Sequence, residues 1–312
     1  MESFADAFKQ LPPYGQYLVG AAGVYVSWKW LLKPALRSLG WAVQAARGTE
    51  PKLHKKDWER DVVYLYQFPR PRYVPNLSPF CLKVEAFLRI ADIKHEVVET
   101  LWLRSREGKL PFVELNGEQL HDSELIVRDL CKAFHKETLL GADEQQRATH
   151  TMIHATIEKA FMPLSSYTRY VTYFDKYMTA EVTGVWWIDY LRPLFFDPKT
   201  VEQTISVMGV GGNRPNPKEL AYYGRQQLQA LSTTIGGKKY ILSDEPAAID
   251  AAVFSQLTTY YLPFPSDSPI HKMINEEFPL VKEYLNRFKE EVFPDWDQLV
   301  LPGVDKEQKK GS

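Results

Sequence analysis

Cysteine is scarce in this chain of 312 residues: only Cys81 and Cys131 occur. Two thiols cannot staple a small secreted scaffold or build a cysteine-rich metal site, and their rarity fits a reducing, cytosol-facing setting. A surplus of positive charge is missing too, with 38 Lys plus Arg against 39 Asp plus Glu. No basic field exists to hold a phosphate backbone by counterion release, so nucleic acid is not expected as a partner. The glycine-rich run Gly209-Val210-Gly211-Gly212 has no strand pattern before it and no Lys-Ser/Thr after it. That context argues against a phosphate-cradling loop.

A long apolar run is also lacking. Residues 10–28 carry no charge, yet their apolar heart, residues 17–26 (YLVGAAGVYV), is short against the roughly 20 residues a bilayer span requires. No small-residue cleavage site follows, so a removable signal peptide is not favoured. Lys29, Lys33, Arg37 and Arg47 follow the segment and only Lys9 precedes it. A span with those flanks would leave the body of the protein facing the cytosol. Residues 1–33 therefore read as an apolar segment that either anchors the chain in a membrane or lies as an amphipathic helix on a membrane or on the protein. Residues 34–58 read as a basic linker.

The rest of the chain is rich enough to bury more than one core: 45% of residues are apolar and 13% aromatic, and about 100–200 residues make one domain. Residues 61–68 (DVVYLYQF) have the β-branched and aromatic content of a buried strand, ended by Pro69, Pro71 and Pro75. Ser78-Pro79 then opens a helix, with Ser as cap and Pro in the first turn. Phe80, Val84, Phe87, Leu88 and Ala91 repeat at helical spacing, while Lys83, Glu85 and Arg89 point elsewhere. A second strand, residues 95–101, follows at once, which predicts a right-handed parallel crossover. Residues 110–115 and 118–120 flank Asn116-Gly117, the strongest short hairpin signal. A helix follows Asp122-Ser123. The order β-α-β-β-β-α is that of a thioredoxin-like domain over residues 59–138, with its second helix reduced or missing. Residues 143–300 read as an all-helical domain. One long helix continues through Met152, Ile153, Ala160 and Phe161, and another opens at residues 216–219 and stops at Gly236-Gly237. Residues 301–312 read as a disordered tail.

Four places could carry chemistry. Ser78 and Cys81 sit at a helix N-terminus, where free N–H groups and the helix dipole stabilise a thiolate. Ser78 stands where a first cysteine would be, which excludes dithiol exchange; its hydroxyl either caps the helix or also hydrogen-bonds a bound thiolate. Cys81 is either a thiol of lowered pKa or an inert buried one. Leu110-Pro111 begins a strand, and a cis bond there would turn the Leu110 backbone toward an extended peptide. Asp122 and Ser123 cap a helix and offer oxygens and N–H groups to an amino-acid head group. His150, His154 and Glu158 fall at i, i+4 and i+8, but one face of one helix supplies incomplete coordination. They are read as a polar face, with no metal expected. Asp250, at the start of an apolar helix, is read as a structural acid that holds backbone N–H groups.

With these residues in view, the sequence resembles the failed axon connections and cadmium-responsive proteins, a glutathione-transferase-like family related to the metaxins. YLYQFPR (64–70), LSPFCLKVEAFLRIADI (77–93), LPFVELNGE (110–118), KKYILS (238–243) and IDAAVF (249–254) carry the likeness. The resemblance implies the same two domains, the first thioredoxin-like and the second helical as in glutathione transferases. It implies glutathione as co-substrate and a small electrophile, in a stress or xenobiotic response. It places Ser78 at the thiol, Leu110 and Pro111 at the cysteinyl backbone, and Asp122 with Ser123 at the γ-glutamyl group. Metaxin-like relatives imply the alternative of a membrane-tethered adaptor without catalysis, and a homodimer or another protein partner fits either reading. Two departures are visible. Only 33 positions separate Ser78 from Pro111, which leaves little room for the second helix, and Ala247 stands where a helix-capping Ser or Thr is usual.

Overall fold

The structure, a computed structural model, describes residues 53–172, 217–264 and 266–301; all of these belong to one unit that begins at Lys52. The apolar N-terminal segment, the linker up to residue 52, the glycine-rich run at 209–212 and the tail after Leu301 lie outside the described residues.

Strand β1 (Val63–Gln67) is buried at every position, as the apolar run at 63–66 predicts for a strand flanked on both sides. It pairs in parallel with β2 (His95–Glu99) and antiparallel with β3 (Phe112–Leu115), and β3 pairs antiparallel with β4 (Glu118–His121). The sheet order is β2-β1-β3-β4. The β3–β4 turn uses Asn116 at φ 51° and Gly117 at φ 86°, the pair of positive angles that an Asn-Gly hairpin provides most readily.

Helix α1 (Pro79–Ile90) makes the crossover between β1 and β2. No helix forms between β2 and β3. Instead Thr100 Oγ1 accepts the N–H groups of Trp102 and Leu103 at 3.1 and 2.9 Å. A tight turn closes through Gly108 N–H to Ser105 O at 2.8 Å. Helix α2 (Ser123–Ala133) completes the domain. The other sheet face buries Val62, Tyr64, Tyr66 and Phe112. Residues 53–58, expected as the end of a free linker, lie on this face. Glu114 Oε1 and Oε2 accept the N–H groups of His54 and Lys55 at 2.8 and 2.9 Å. His54 meets the rings of Tyr66 and Phe112, and the Trp58 ring lies 3.4 Å from where a Gly117 Cβ would be.

The helical domain begins with α3 (Glu144–Ala155). The single helix expected here continues helically but not as one regular helix: a π-helical stretch at Thr156–Phe161 gives way to α4 (Met162–Tyr167) and a second wide stretch at Thr168–Thr172. Met152 on α3 is exposed. Helix α5 (Pro217–Ile235) ends at Gly236, whose φ of 55° is the left-handed stop foreseen. Helix α6 (Ala248–Tyr261) is buried from Ala248 to Tyr260 and packs along α1. Around it lie α7 (Pro269–Lys272), α8 (Pro279–Val292) and α9 (Trp296–Leu299). One apolar core therefore runs through both domains.

Asp250 has the structural role expected of it. Its fully buried carboxylate accepts Ile241 N–H at 3.0 Å and Ala247 N–H at 2.8 Å. Burial pushes its pKa up, to about 6, although those N–H groups pull the other way.

Candidate functional site

The sheet register sets where the sequence-predicted residues go. Gln67 pairs with Glu99, Tyr66 with Phe112, and Phe112 with His121. The chain therefore leaves β1, β2 and β4, and enters β3, at one end of the sheet. The loop to Ser78 follows β1, Leu110 and Pro111 precede β3, and Asp122 and Ser123 follow β4. Topology thus brings all three segments to one rim.

Ser78 is fixed from both sides. Asn76, fully buried, donates from Nδ2 to Phe68 O at 2.9 Å and accepts Ser78 N–H on Oδ1 at 3.0 Å. Arg70 spans the same loop, donating to Pro75 O at 3.0 Å and to both oxygens of Glu85 at 2.6 and 2.8 Å. From the helical domain, Arg169 donates to Leu77 O at 3.2 Å and to Thr259 O. Ser78 is half-buried and accepts Cys81 N–H on Oγ at 3.4 Å. It is therefore a helix cap, and its hydroxyl also hydrogen-bonds the Cys81 side chain.

Cys81 lies inside the core with no exposure, and burial pushes its thiol up to about 12. The helix dipole does not overcome that desolvation, so the residue packs as a small apolar group and forms no thiolate near neutral pH. The Leu110–Pro111 bond is cis. Asp122 is exposed, at φ 67°, and its Oδ1 accepts the N–H groups of Glu124 and Leu125 at 3.0 and 3.3 Å. Part of the anion-binding capacity of the α2 N-terminus is thus taken by the chain's own carboxylate. Ser123 is buried beside it.

A second constellation lies where the domains meet. Lys83 and Glu85, placed off the apolar side of α1, are both buried, because the helical domain covers the polar side of that helix as well. Lys83 Nζ lies 2.5 Å from Glu158 Oε1 and 3.2 Å from Glu124 Oε2. His154 Nε2 is 2.8 Å from Glu124 Oε2 and 3.2 Å from Glu158 Oε1. Burial disfavours the charged His154 ring, but the two carboxylates outweigh it and raise its pKa to about 9. Burial likewise opposes ionisation of Glu124, and the His150 and His154 rings with the Lys83 ammonium hold its carboxyl well below the usual range. The spacing of His150, His154 and Glu158 pointed to this face; Glu124 and Lys83, far away in sequence, gave no local signal.

Comparison with known proteins agrees with this architecture. The glutathione S-transferase N-terminal domain matches residues 79–175, and the glutathione S-transferase C-terminal domain matches residues 224–288. Failed axon connections of Drosophila melanogaster is 29% identical over 279 residues, 83% of this chain and 66% of that protein, so the chain spans just under two thirds of that relative's length. Metaxin-2 of Mus musculus is 23% identical over 81% of this chain and 95% of its own. Glutathione transferase F7 from Populus trichocarpa superposes with a TM-score of 0.50 at 14% identity, covering 76% of this chain and 97% of that one, a likeness of fold alone. The chain is thus a homologue of Failed axon connections and a relative of the metaxins, built from a thioredoxin-like glutathione-transferase N-terminal domain and a helical glutathione-transferase C-terminal domain.

Proposed function

We propose that the chain is a glutathione-binding protein of transferase type, with its site on the rim that holds Ser78, Leu110, Pro111, Asp122 and Ser123. The observation that carries the reading is Ser78: the Asn76 clamp fixes it at the rim, and it is half-exposed there. In this reading Ser78 orients the glutathione thiolate, the Leu110 backbone next to Pro111 pairs with the cysteinyl unit, and Asp122 with Ser123 receives the γ-glutamyl head group. The Asp122 carboxylate suits the ammonium of that head group better than its carboxylate. The second substrate is a small electrophile, and the setting is a stress or xenobiotic response with the body of the protein in reducing cytosol.

A specific observation favours a second reading, that of a tethered adaptor without chemistry. Residues 100–109 form turns where a second helix would stand, which removes a wall from one side of the rim. Titration calorimetry with glutathione and a conjugation assay with a small electrophile separate the two. The first reading expects binding and turnover, with Ser78→Ala lowering turnover by about tenfold to a hundredfold, the worth of one hydrogen bond to a charged group. No heat of binding and no turnover would leave the adaptor.

A further inference from the structure

The junction cluster is not used by the glutathione reading, and it has the make-up of a metal site. The sequence argued against a metal because one helix face gives too few ligands. The structure removes that objection: Glu124 from the first domain completes the set that His154 and Glu158 begin, and one ligand atom from each lies within 4.8 Å of the others. The edges meeting at His154 Nε2 are 2.8 and 3.2 Å. A tetrahedral zinc ion with bonds near 2.0–2.1 Å has ligand-to-ligand edges of about 3.3 Å, and both edges at His154 stand near that length.

A further fact points to an occupant. His150, whose side chain is nine-tenths buried, has an Nδ1 without a partner and an Nε2 3.8 Å from Glu124 Oε1, near enough to orient that carboxylate or serve as a fourth ligand. The cluster already holds one cation, the Lys83 ammonium, on the same oxygens.

We propose that Glu124, His154 and Glu158 bind a divalent cation of the zinc class, and that the Lys83 ammonium is its competitor in the metal-free chain. An imidazole nitrogen with two carboxylates selects such an ion over calcium or magnesium, which take oxygen ligands. On binding, the ion takes the place of the Lys83 ammonium on the two carboxylates, and His154 binds it as the neutral imidazole, any ring proton passing to solvent. The ion bridges the two domains, so it stabilises the folded chain by mass action.

The full chain, stripped with EDTA, is titrated with Co2+ read by visible absorption and with Zn2+ read by calorimetry and thermal unfolding. One saturable site is expected, with a zinc-dependent rise in Tm. His154→Ala and Glu158→Gln should each weaken uptake at least tenfold, and Lys83→Met should tighten it by about tenfold or more, by removing the competing charge. Circular dichroism confirms that each variant is folded. A folded Lys83→Met chain that takes up no metal overturns the proposal, as does wild-type uptake undiminished in His154→Ala. If Lys83→Met does not fold, the half-exposed Glu124 decides: wild-type uptake lost in Glu124→Gln supports the site, and the absence of saturable wild-type uptake overturns it.

Discussion

Asp250 shows how much one buried carboxylate can hold. It joins the start of α6 to the turn before it by accepting two buried N–H groups, and with alanine at 247 no capping hydroxyl shares the work. Asp250→Ala strands both donors, and each stranded donor costs about 1–3 kcal/mol. Chemical denaturation should show a loss of about 2–4 kcal/mol. Asp250→Asn, which keeps one acceptor oxygen, should lose clearly less. The two thiols make the opposite case. Burial pushes Cys81 and Cys131 each up to about 12, and neither side chain reaches solvent. An aromatic disulfide reagent at neutral pH should therefore titrate almost no thiol in the native protein and both after unfolding. Fast native reaction of one thiol would return Cys81 to consideration at the rim.

The elements that could be read in the sequence are those whose signal is local. The Asn116-Gly117 turn, the Ser78-Pro79 helix start and the Gly236 stop each depend on a few adjacent residues, and each formed as expected. The gap between Ser78 and Pro111 correctly announced a missing second helix. The burial of Lys83 and Glu85 was not legible, because polar residues on an amphipathic helix look solvated until their distant partners, Glu158 and Arg70, are known. The same holds for Glu114, whose three acceptor contacts come from His54, Lys55 and Tyr66. Its bonds to residues 54 and 55 fasten that segment over the face that buries Tyr66 and Phe112. Glu114→Ala removes two charge-assisted bonds worth about 1.5–3 kcal/mol each. Limited trypsin digestion should then cut at Lys55 or Lys56 at least tenfold faster than in the wild type, with the rest of the unit intact. Unchanged cleavage would show that ring packing of His54 and Trp58 alone retains the segment.

The two domains unfold as one body if the core that α1 and α6 share is as continuous as its packing indicates; Arg89 reinforces it by a two-pronged bond to Asp295 at 2.6 and 2.9 Å. Whatever this unit binds, its compartment decides which ligands it meets. Among the described residues no helix is long and apolar enough to cross a membrane; the span expected from the sequence, residues 11–32, lies outside them. If it inserts, Lys29, Lys33, Arg37 and Arg47 should stay on the cytosolic side, because cationic flanks resist translocation. The Ser78 rim and the junction cluster would then both face reducing cytosol, where two free thiols persist. A helix lying on the membrane surface puts the same unit in the same compartment but holds it only by a shallow apolar face. Alkaline carbonate distinguishes the two: the inserted protein stays in the pellet, and the peripheral one is released. Protease added to intact organelles supplies the other half. Digestion of residues 60–300 is expected, and their protection would overturn the cytosolic orientation whichever way the extraction falls.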